Sequence, residues 1–257
     1  MRIFADSWFL TVRLVRQLLR QPWYIAFTLI QPIIWLVLYG QLFKRVVELP
    51  GFQTASYIDF LTPGIVMMSA LFGAGWTGIG VITDIDRGVM DRFLVSPVSR
   101  SAIILSRVMS LSLNTVVQAI ILVGLGSLFG ARYAGGVMGL LVLTFSAILL
   151  GLPFGSLSIA LALTVRNEES VIGAVNFVLL PLTFLSPVFM ANTLMPGWIQ
   201  VVARFNPVNW SVEAGRGALQ LHPDWPAILL RLVYLAVFGI VGAWIATRAF
   251  RSYQASA

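Results

Sequence analysis

Long uncharged intervals separated by short charged ones dominate this chain. Residues 21–43, 60–83, 108–131, 133–165 and 170–203 contain no Asp, Glu, Lys or Arg, and 225–247 contains only Arg231. A helix needs about 20 apolar residues to cross the roughly 30 Å hydrocarbon core of a bilayer, so each interval is long enough for one crossing. The pattern predicts an all-α integral membrane protein with six transmembrane helices. Arg231 lies a turn or two into the last interval, where a long side chain reaches the headgroups by snorkelling. In the second interval Ser69, Gly73 and Thr77 recur every four residues, as do Ala70, Ala74 and Gly78. Gly126 and Gly130 repeat the spacing in the third, and Gly151 and Gly155 flank Pro153 in the fourth. Small faces of this kind let helix backbones approach closely in lipid.

Two further elements flank the spans. Over 2–21, Trp8, Val12, Val15 and Leu19 share one helical face while Arg13, Arg16 and Arg20 occupy the adjacent one. That predicts an N-terminal amphipathic helix in the headgroup plane, with Pro22 turning the chain into the first span. The first apolar run exceeds the roughly 7–15 residues of a signal-peptide core and lacks a small-residue cleavage site, so it is expected to remain as an anchor. Between the last two spans, 191–224 is apolar but punctuated by Pro196, Gly197, Asn206-Pro207 and His222-Pro223. Its 208–221 piece would reach only about 21 Å as a helix. A broken hairpin re-entering the outer leaflet is therefore expected, enclosed by protein or water. Glu213 and Arg216, three residues apart, are expected to neutralise each other.

Composition fixes the solvent. Of 257 residues, 58% are hydrophobic and 11% charged, whereas soluble domains carry about a quarter charged residues. The net charge of +7 is read as arginines facing the cytoplasm and anionic headgroups, not as a nucleic-acid surface. With a cytoplasmic N-terminus, the inner segments hold Arg2, Arg13, Arg16, Arg20, Arg87, Arg92, Arg100, Arg107, Arg166, Arg248 and Arg251. The outer ones hold Lys44, Arg45, Arg132, Arg204, Arg216 and Arg231. Eleven against six places both termini in the cytoplasm. Cysteine is absent, which removes disulfides, thiol nucleophiles and thiolate ligands.

Several chemistries are missing. The single lysine, Lys44, has no Gly-x-x-x-x-Gly-Lys context, so the chain has no phosphate-cradling P-loop and no means of hydrolysing a nucleotide. The single histidine, His222, sits beside Pro223 and reads as a solvated loop residue; no metal cluster is predicted. No acidic residue lies mid-span, which weakens a proton-driven transporter. No histidine or lysine base accompanies the intramembrane serines, which argues against a membrane hydrolase. The neutral polar groups Gln31, Asn114, Gln118 and Asn176 are expected mostly to make interhelical hydrogen bonds.

The segment between the second and third spans reads Asp86-Arg87-Gly88-Val89-Met90-Asp91-Arg92-Phe93-Leu94-Val95-Ser96-Pro97-Val98-Ser99-Arg100. It resembles the inner loop of ABC-2 type permeases, the membrane subunits of ATP-binding-cassette exporters, with Asp91 where a Glu is usual. The stretch Met195-Pro196-Gly197-Trp198-Ile199, followed by Asn206-Pro207-Val208-Asn209-Trp210, Glu213 and Arg216, resembles the family's outer hairpin. Order and span count match as well, and the likeness is greatest to drug- and antibiotic-resistance permeases.

The resemblance implies one ABC-2 transmembrane domain over 1–257, with a coupling loop at 84–101 and an outer re-entrant region at 191–224. Asp86, Arg87, Gly88, Asp91, Arg92, Phe93, Leu94, Pro97 and Arg100 would form the coupling element that touches a separate ABC ATPase subunit. Phe93 and Leu94 offer apolar anchors among charged neighbours. Residues 2–21 and 166–169 are further expected contacts. Two copies of the ATPase would bind ATP and Mg, this chain binding no cofactor, beneath a pair of permeases expected to be a homodimer. The second and fifth spans would line a path, with Met67, Met68, Phe72 and Trp76 on one side and Asn176, Phe177, Leu180 and Phe184 on the other. Adaptable apolar groups of this type suit a hydrophobic or amphiphilic drug, antibiotic or lipid-like cargo. Export of a polysaccharide or lipid-linked glycan is the alternative within the family. An ATP-independent secondary transporter or channel, and a membrane-assembly subunit without cargo, are the alternatives outside it. The expected location is the inner membrane of a prokaryote.

Overall fold

The computed structural model describes residues 11–12, 16, 22–48, 56–89 and 100–255. Most of the predicted 2–21 helix and residues 90–99 of the predicted coupling loop lie outside them. Helix α1 (Pro22–Leu42) leads through a 3-10 turn (Lys44–Glu48) to α2 (Tyr57–Gly75) and α3 (Thr77–Asp86). Helices α4 (Arg100–Leu128), α5 (Gly136–Val165) and α6 (Glu168–Phe184) follow. A 3-10 turn (Asn192–Leu194) and the short helices α7 (Gly197–Ala203) and α8 (Pro207–Ala218) precede the long α9 (Trp225–Ala255). The described residues contain helices and no strands.

Local sequence starts these helices where it should. Ser56 Oγ accepts from the Ile58 N–H, Asn167 Oδ1 from Ser170 and Asn206 Oδ1 from Val208, each satisfying a helix donor that has no partner within its helix. Asp59 in α2 and Glu168 and Glu169 in α6 fall in first turns, where negative charge complements the helix dipole.

The α2–α3 span forms the axis. About two thirds of it is buried, against 22% of α9, because its two small stripes turn to two different neighbours. Ser69 Oγ donates to Gln118 Oε1 of α4 at 2.9 Å, while Ala70 and Ala74 lie against Gly151 and Gly155 of α5. Gly78 lies flush on Ser158 of α5. Helix α8 slots into the same body: Gly135 and Gly139 meet the Ala218 carbonyl, and Gly215 sits between Leu143 and Met67. The Gly135 N–H donates to the Leu219 carbonyl at 2.9 Å. On the far side Gly242 of α9 packs on Pro153 of α5. Large apolar side chains face outward on α1 (Ile34, Leu38), α4 (Ile120, Leu128), α5 (Val137, Leu141) and α9 (Ile240, Trp244), a surface only lipid or another subunit can cover.

Contacts sort the loops to two ends. At one, Tyr57 Oη donates to the Phe189 carbonyl, the Arg132 N–H donates to Asp59, and Gly135 reaches Leu219. Near them Tyr133 donates to the Val123 carbonyl at 3.4 Å, and burial pushes its phenol up to about 12, so it remains a donor. At the other end, Arg107 meets Asp84, Thr83 meets Glu168, and Thr11 meets Ser106.

The structure corrects the predicted spans in two places. Among the described residues, four helical stretches, Tyr57–Asp86, Ser106–Leu128, Gly136–Val165 and Trp225–Arg248, are long and apolar enough to cross a membrane. The interval 170–203 is not one long span, because α6 ends at Phe184 after 17 residues, about 25 Å of helix. Pro181 and Pro187 punctuate that exit, and irregular backbone follows. The interval 60–83 is interrupted at Trp76.

Substituting Gly139→Val should place a side chain on the Ala218 carbonyl and drive α8 off α5. Overpacking of this kind costs about 2 kcal/mol. A lowered unfolding midpoint in detergent, followed by the fluorescence of the eight tryptophans, is the expected result; an unchanged midpoint would show that α8 is not docked as described.

Candidate functional site

The end carrying residues 83–88 and 100–107 is assembled from four segments. Helix α3 stops where the Arg87 N–H bonds the Thr83 carbonyl at 3.2 Å and the Gly88 N–H the Ile85 carbonyl at 2.9 Å. Gly88 adopts φ +64°, a left-handed turn that glycine enters without a Cβ penalty. Nineteen residues after Gly88, Arg107 Nη2 donates to Asp84 Oδ2 at 2.6 Å, with side chains 9% and 17% exposed. The chain between these residues is therefore closed at its base by a nearly buried ion pair. Thr83 Oγ1 donates to Glu168 Oε1 at 3.4 Å, tying α3 to the start of α6. Thr11 Oγ1 donates to the Ser106 carbonyl at 3.4 Å, tying the N-terminal segment to α4.

Among the predicted coupling residues, Asp86 and Arg87 are exposed and Gly88 forms the turn. Arg100 is the first residue of α4. Asp91, Arg92, Phe93, Leu94 and Pro97 lie outside the described residues. Sequence reasoning missed the pairing of Asp84 and Arg107, taking Asp84 only as the start of the 84–101 loop and Arg107 only as one of the inner arginines. A visible signal was available: one acid and one base on the edges of consecutive spans, placed to meet if those spans pack antiparallel.

The predicted path residues separate into two groups. Met67 is fully buried, its sulfur facing the Ser211 hydroxyl, and Met68 is 5% exposed; both lie within the bundle. Phe72 and Trp76 are half-buried. Phe177, Leu180 and Phe184 are exposed on α6. Asn176 donates to the Ile172 carbonyl of its own helix at 3.1 Å, not across helices as expected. It is Gln118 that makes an interhelical bond. Helices α2 and α6 do adjoin, since Gly75 lies directly against Val175 and Leu179.

At the opposite end, the predicted hairpin residues each hold irregular backbone or another charge. Asn206 caps α8 through Oδ1 and donates from Nδ2 to the Leu182 and Leu185 carbonyls at 2.7 and 2.9 Å, with Pro207 opening the helix. Glu213 and Arg216 do not pair. Glu213 accepts from Arg231 at 2.7 Å and from Asn192 at 2.6 Å, so Arg231 is held by protein instead of snorkelling to headgroups. Arg216 donates from Nη2 to the Phe60 and Pro187 carbonyls at 2.9 and 3.0 Å and lies 3.5 Å over the Phe60 ring. The side chains point to different neighbours because α8 packs against both α2 and α9. A cavity of about 430 Å³ opens beside Glu213 and Arg231, and another of about 720 Å³ beside Asp59, Arg132 and Arg216.

Comparison with known proteins adds a chain-wide signal. The profile of the ABC-2 type transporter family matches residues 6–219. The sequence is 30% identical over 224 residues to ycf38 of Cyanophora paradoxa, which carries a transport-permease name; the match spans 86% of this chain and 77% of that one. It is 30% identical over 187 residues to the daunorubicin resistance ABC transporter permease protein DrrB1 of Streptomyces coeruleorubidus, spanning 73% of this chain and 65% of that protein. It is 29% identical over 231 residues to the inner membrane transport permease YadH of Escherichia coli K12, spanning 83% and 85%.

The Asp84–Arg107 pair generates a prediction. Asp84→Ala alone leaves a nearly buried guanidinium without its carboxylate, which costs about 3 kcal/mol. Asp84→Ala combined with Arg107→Leu removes both charges and should recover most of that loss in the same detergent unfolding assay. Equal destabilisation by the single and double variants would mean that the ion pair does not carry the contact.

Proposed function

The chain belongs to the ABC-2 type transporter family, and on that premise we propose that it is the permease subunit of an exporter driven by a separate ABC ATPase. It is a multi-pass membrane protein of a family that supplies the membrane part of such transporters, so the energy must come from a partner. In the proposed arrangement two copies of this chain face one another across the path, and two copies of the ATPase dock beneath them. The bundle makes six traverses with both termini in the cytoplasm of a prokaryotic cell, and 191–224 re-enters the outer leaflet. The inner end is the one that carries 83–107.

The observation that carries this reading is the closure of 85–106 by Asp84 and Arg107 within a chain whose family match runs from 6 to 219. A docking element transmits displacement only if its base is stiff. Here the base joins α3, α4, α6 and the N-terminal segment. Asp86, Arg87, Gly88, Asp91, Arg92, Phe93, Leu94, Pro97 and Arg100 form the ATPase contact. ATP binding draws the nucleotide subunits together, and the permease pair passes from inward-open to outward-open. The bias comes from the different affinity of the two states for ATP, as linkage requires.

The cargo is hydrophobic or amphiphilic. This rests on the exposed apolar face of α6, where Phe177, Leu180 and Phe184 lie in a row of large side chains, and on the drug-resistance names carried by relatives. Phe72 and Trp76 contribute from the α2–α3 span. Met67 and Met68, which pack inside the bundle, bound the path only if the bundle opens.

Exchanging the charges of Asp91 and Arg92 should cut copurification of the cognate ATPase several-fold and abolish cargo-stimulated ATP hydrolysis in lipid, with membrane insertion intact. Unaltered copurification together with unaltered stimulation would remove the coupling assignment.

A further inference from the structure

We propose that Ser158 is a positioning residue of the transport cycle, its hydroxyl clasping a hinge at Gly75–Gly78 about which α3 swings as an arm. The inference rests on the exporter reading above. In a continuous helix the Gly78 N–H would bond the Ala74 carbonyl, and the Gly75 carbonyl would receive the Ile79 N–H. At this break the Ile79 N–H turns instead to the Trp76 carbonyl at 3.2 Å. The Gly78 N–H donates to Ser158 Oγ at 3.0 Å, and Ser158 Oγ donates to the Gly75 carbonyl. One hydroxyl, acceptor and donor at once, closes both ends of a broken ladder at a site where Ser158 is 5% exposed.

The surroundings separate a fixed part from a movable one. Above the break α2 is held by Arg216 on the Phe60 carbonyl, by Gly64 against the Val188 backbone and by Ser69 on Gln118. Below it α3 is tied at its far end to α4 through Asp84 and Arg107, and to α6 through Thr83 and Glu168. Two stiff segments joined by a ladder defect concentrate motion at the defect, as hinges do. Glycine stands on both sides of it: Gly75 lies against Val175 and Leu179 of α6, and Gly78 against Ser158 of α5. A swing of the arm therefore acts on α6 through Thr83 and Glu168, and the exposed face of α6 carries Phe177, Leu180 and Phe184. Ser158 thus sits between the coupling loop and the proposed path while contacting neither ATPase nor cargo.

The test compares wild type, Ser158→Ala and Ser158→Thr in nanodiscs with the cognate ATPase. Hydrogen exchange of the peptide covering 74–80 is measured alongside basal and cargo-stimulated hydrolysis. Ser158→Ala should accelerate exchange in that peptide at least tenfold and lower the stimulated-to-basal ratio at least fivefold. Basal hydrolysis should hold, and Ser158→Thr, which keeps the hydroxyl, should stay near wild type. Faster exchange with normal stimulation would overturn the positioning role, and so would lost stimulation with normal exchange. If Ser158→Ala does not fold, the wild-type complex decides. Exchange over 74–80 should then differ at least threefold between nucleotide-free and ATP-bound forms while 62–70 stays constant, and equal exchange in the two forms would overturn the hinge. A wild-type complex without any cargo-stimulated hydrolysis would instead defeat the exporter reading, leaving the exchange behaviour of the clasp to be judged on its own.

Discussion

Lipid cannot hydrogen-bond to a peptide group, so every backbone N–H and carbonyl placed within the bilayer must find its partner in the protein. That constraint explains where this chain departs from plain helix and which side chains stand at the departures. At Gly75–Gly78 the partner is the Ser158 hydroxyl. Between α6 and α8, where the backbone is irregular over 185–191, 195–196 and 204–206, Asn206 covers the Leu182 and Leu185 carbonyls, Arg216 covers Pro187 and Tyr57 covers Phe189. Polar side chains that a soluble protein would leave in water are spent here on closing backbone. A cation such as Arg216 is tolerated inside because two carbonyls and an aromatic ring replace its hydration.

The same economy sets the packing. With no hydrophobic force to drive one apolar helix onto another in lipid, association depends on close fit. Helix α5 acts as hub because small residues lie on more than one side of it: Gly151 and Gly155 receive α2, Ser158 receives the break, and Gly139 receives α8. Pro153, in the middle, offers its ring to Gly242 of α9. A stiff core results, with α2–α3 at its centre and the long apolar faces of α4 and α9 turned outward.

Legibility in the sequence followed the range of the interaction. Uncharged intervals located the helices, because the cost of a charge in hydrocarbon acts residue by residue. The small stripes on the second interval anticipated its close contacts, since their spacing is a local property of the helix. The short helix expected within 208–221 was read from prolines that stop helices, and it is α8 at Pro207–Ala218. Partner choice was not legible. Glu213 and Arg216 are neighbours on one helix face, yet each is claimed by an element distant in the chain, Arg231 for one and the Phe60 and Pro187 carbonyls for the other. Asp84 and Arg107 were passed over for the same reason: nothing local distinguishes a paired charge from one that merely marks the edge of a span. The interruption at Trp76 was invisible as well, for Gly-Ala-Gly-Trp-Thr-Gly can continue a membrane helix, and only a serine eighty residues away makes the break affordable.

A subunit that borrows its work must be rigid where it receives force and compliant at one defined place, since uniform softness would dissipate the stroke. The distribution of polar contacts in this chain meets that requirement. Charged and hydroxyl groups join α3, α4, α6 and the N-terminal segment at one end, and side chains lock α2, α8 and α9 at the other. Between these two locked regions the central span runs through one short stretch whose ladder depends on a neighbouring helix. Because α6 leans on that stretch through Val175 and Leu179, a change in its angle has a direct route to the face bearing Phe177 and Phe184. Burial against α5 and α6 raises the penalty for any state in which the stretch is left half-bonded. The central span is thereby confined to a few well-bonded arrangements, and an element with discrete arrangements is what an ATP-driven cycle can switch.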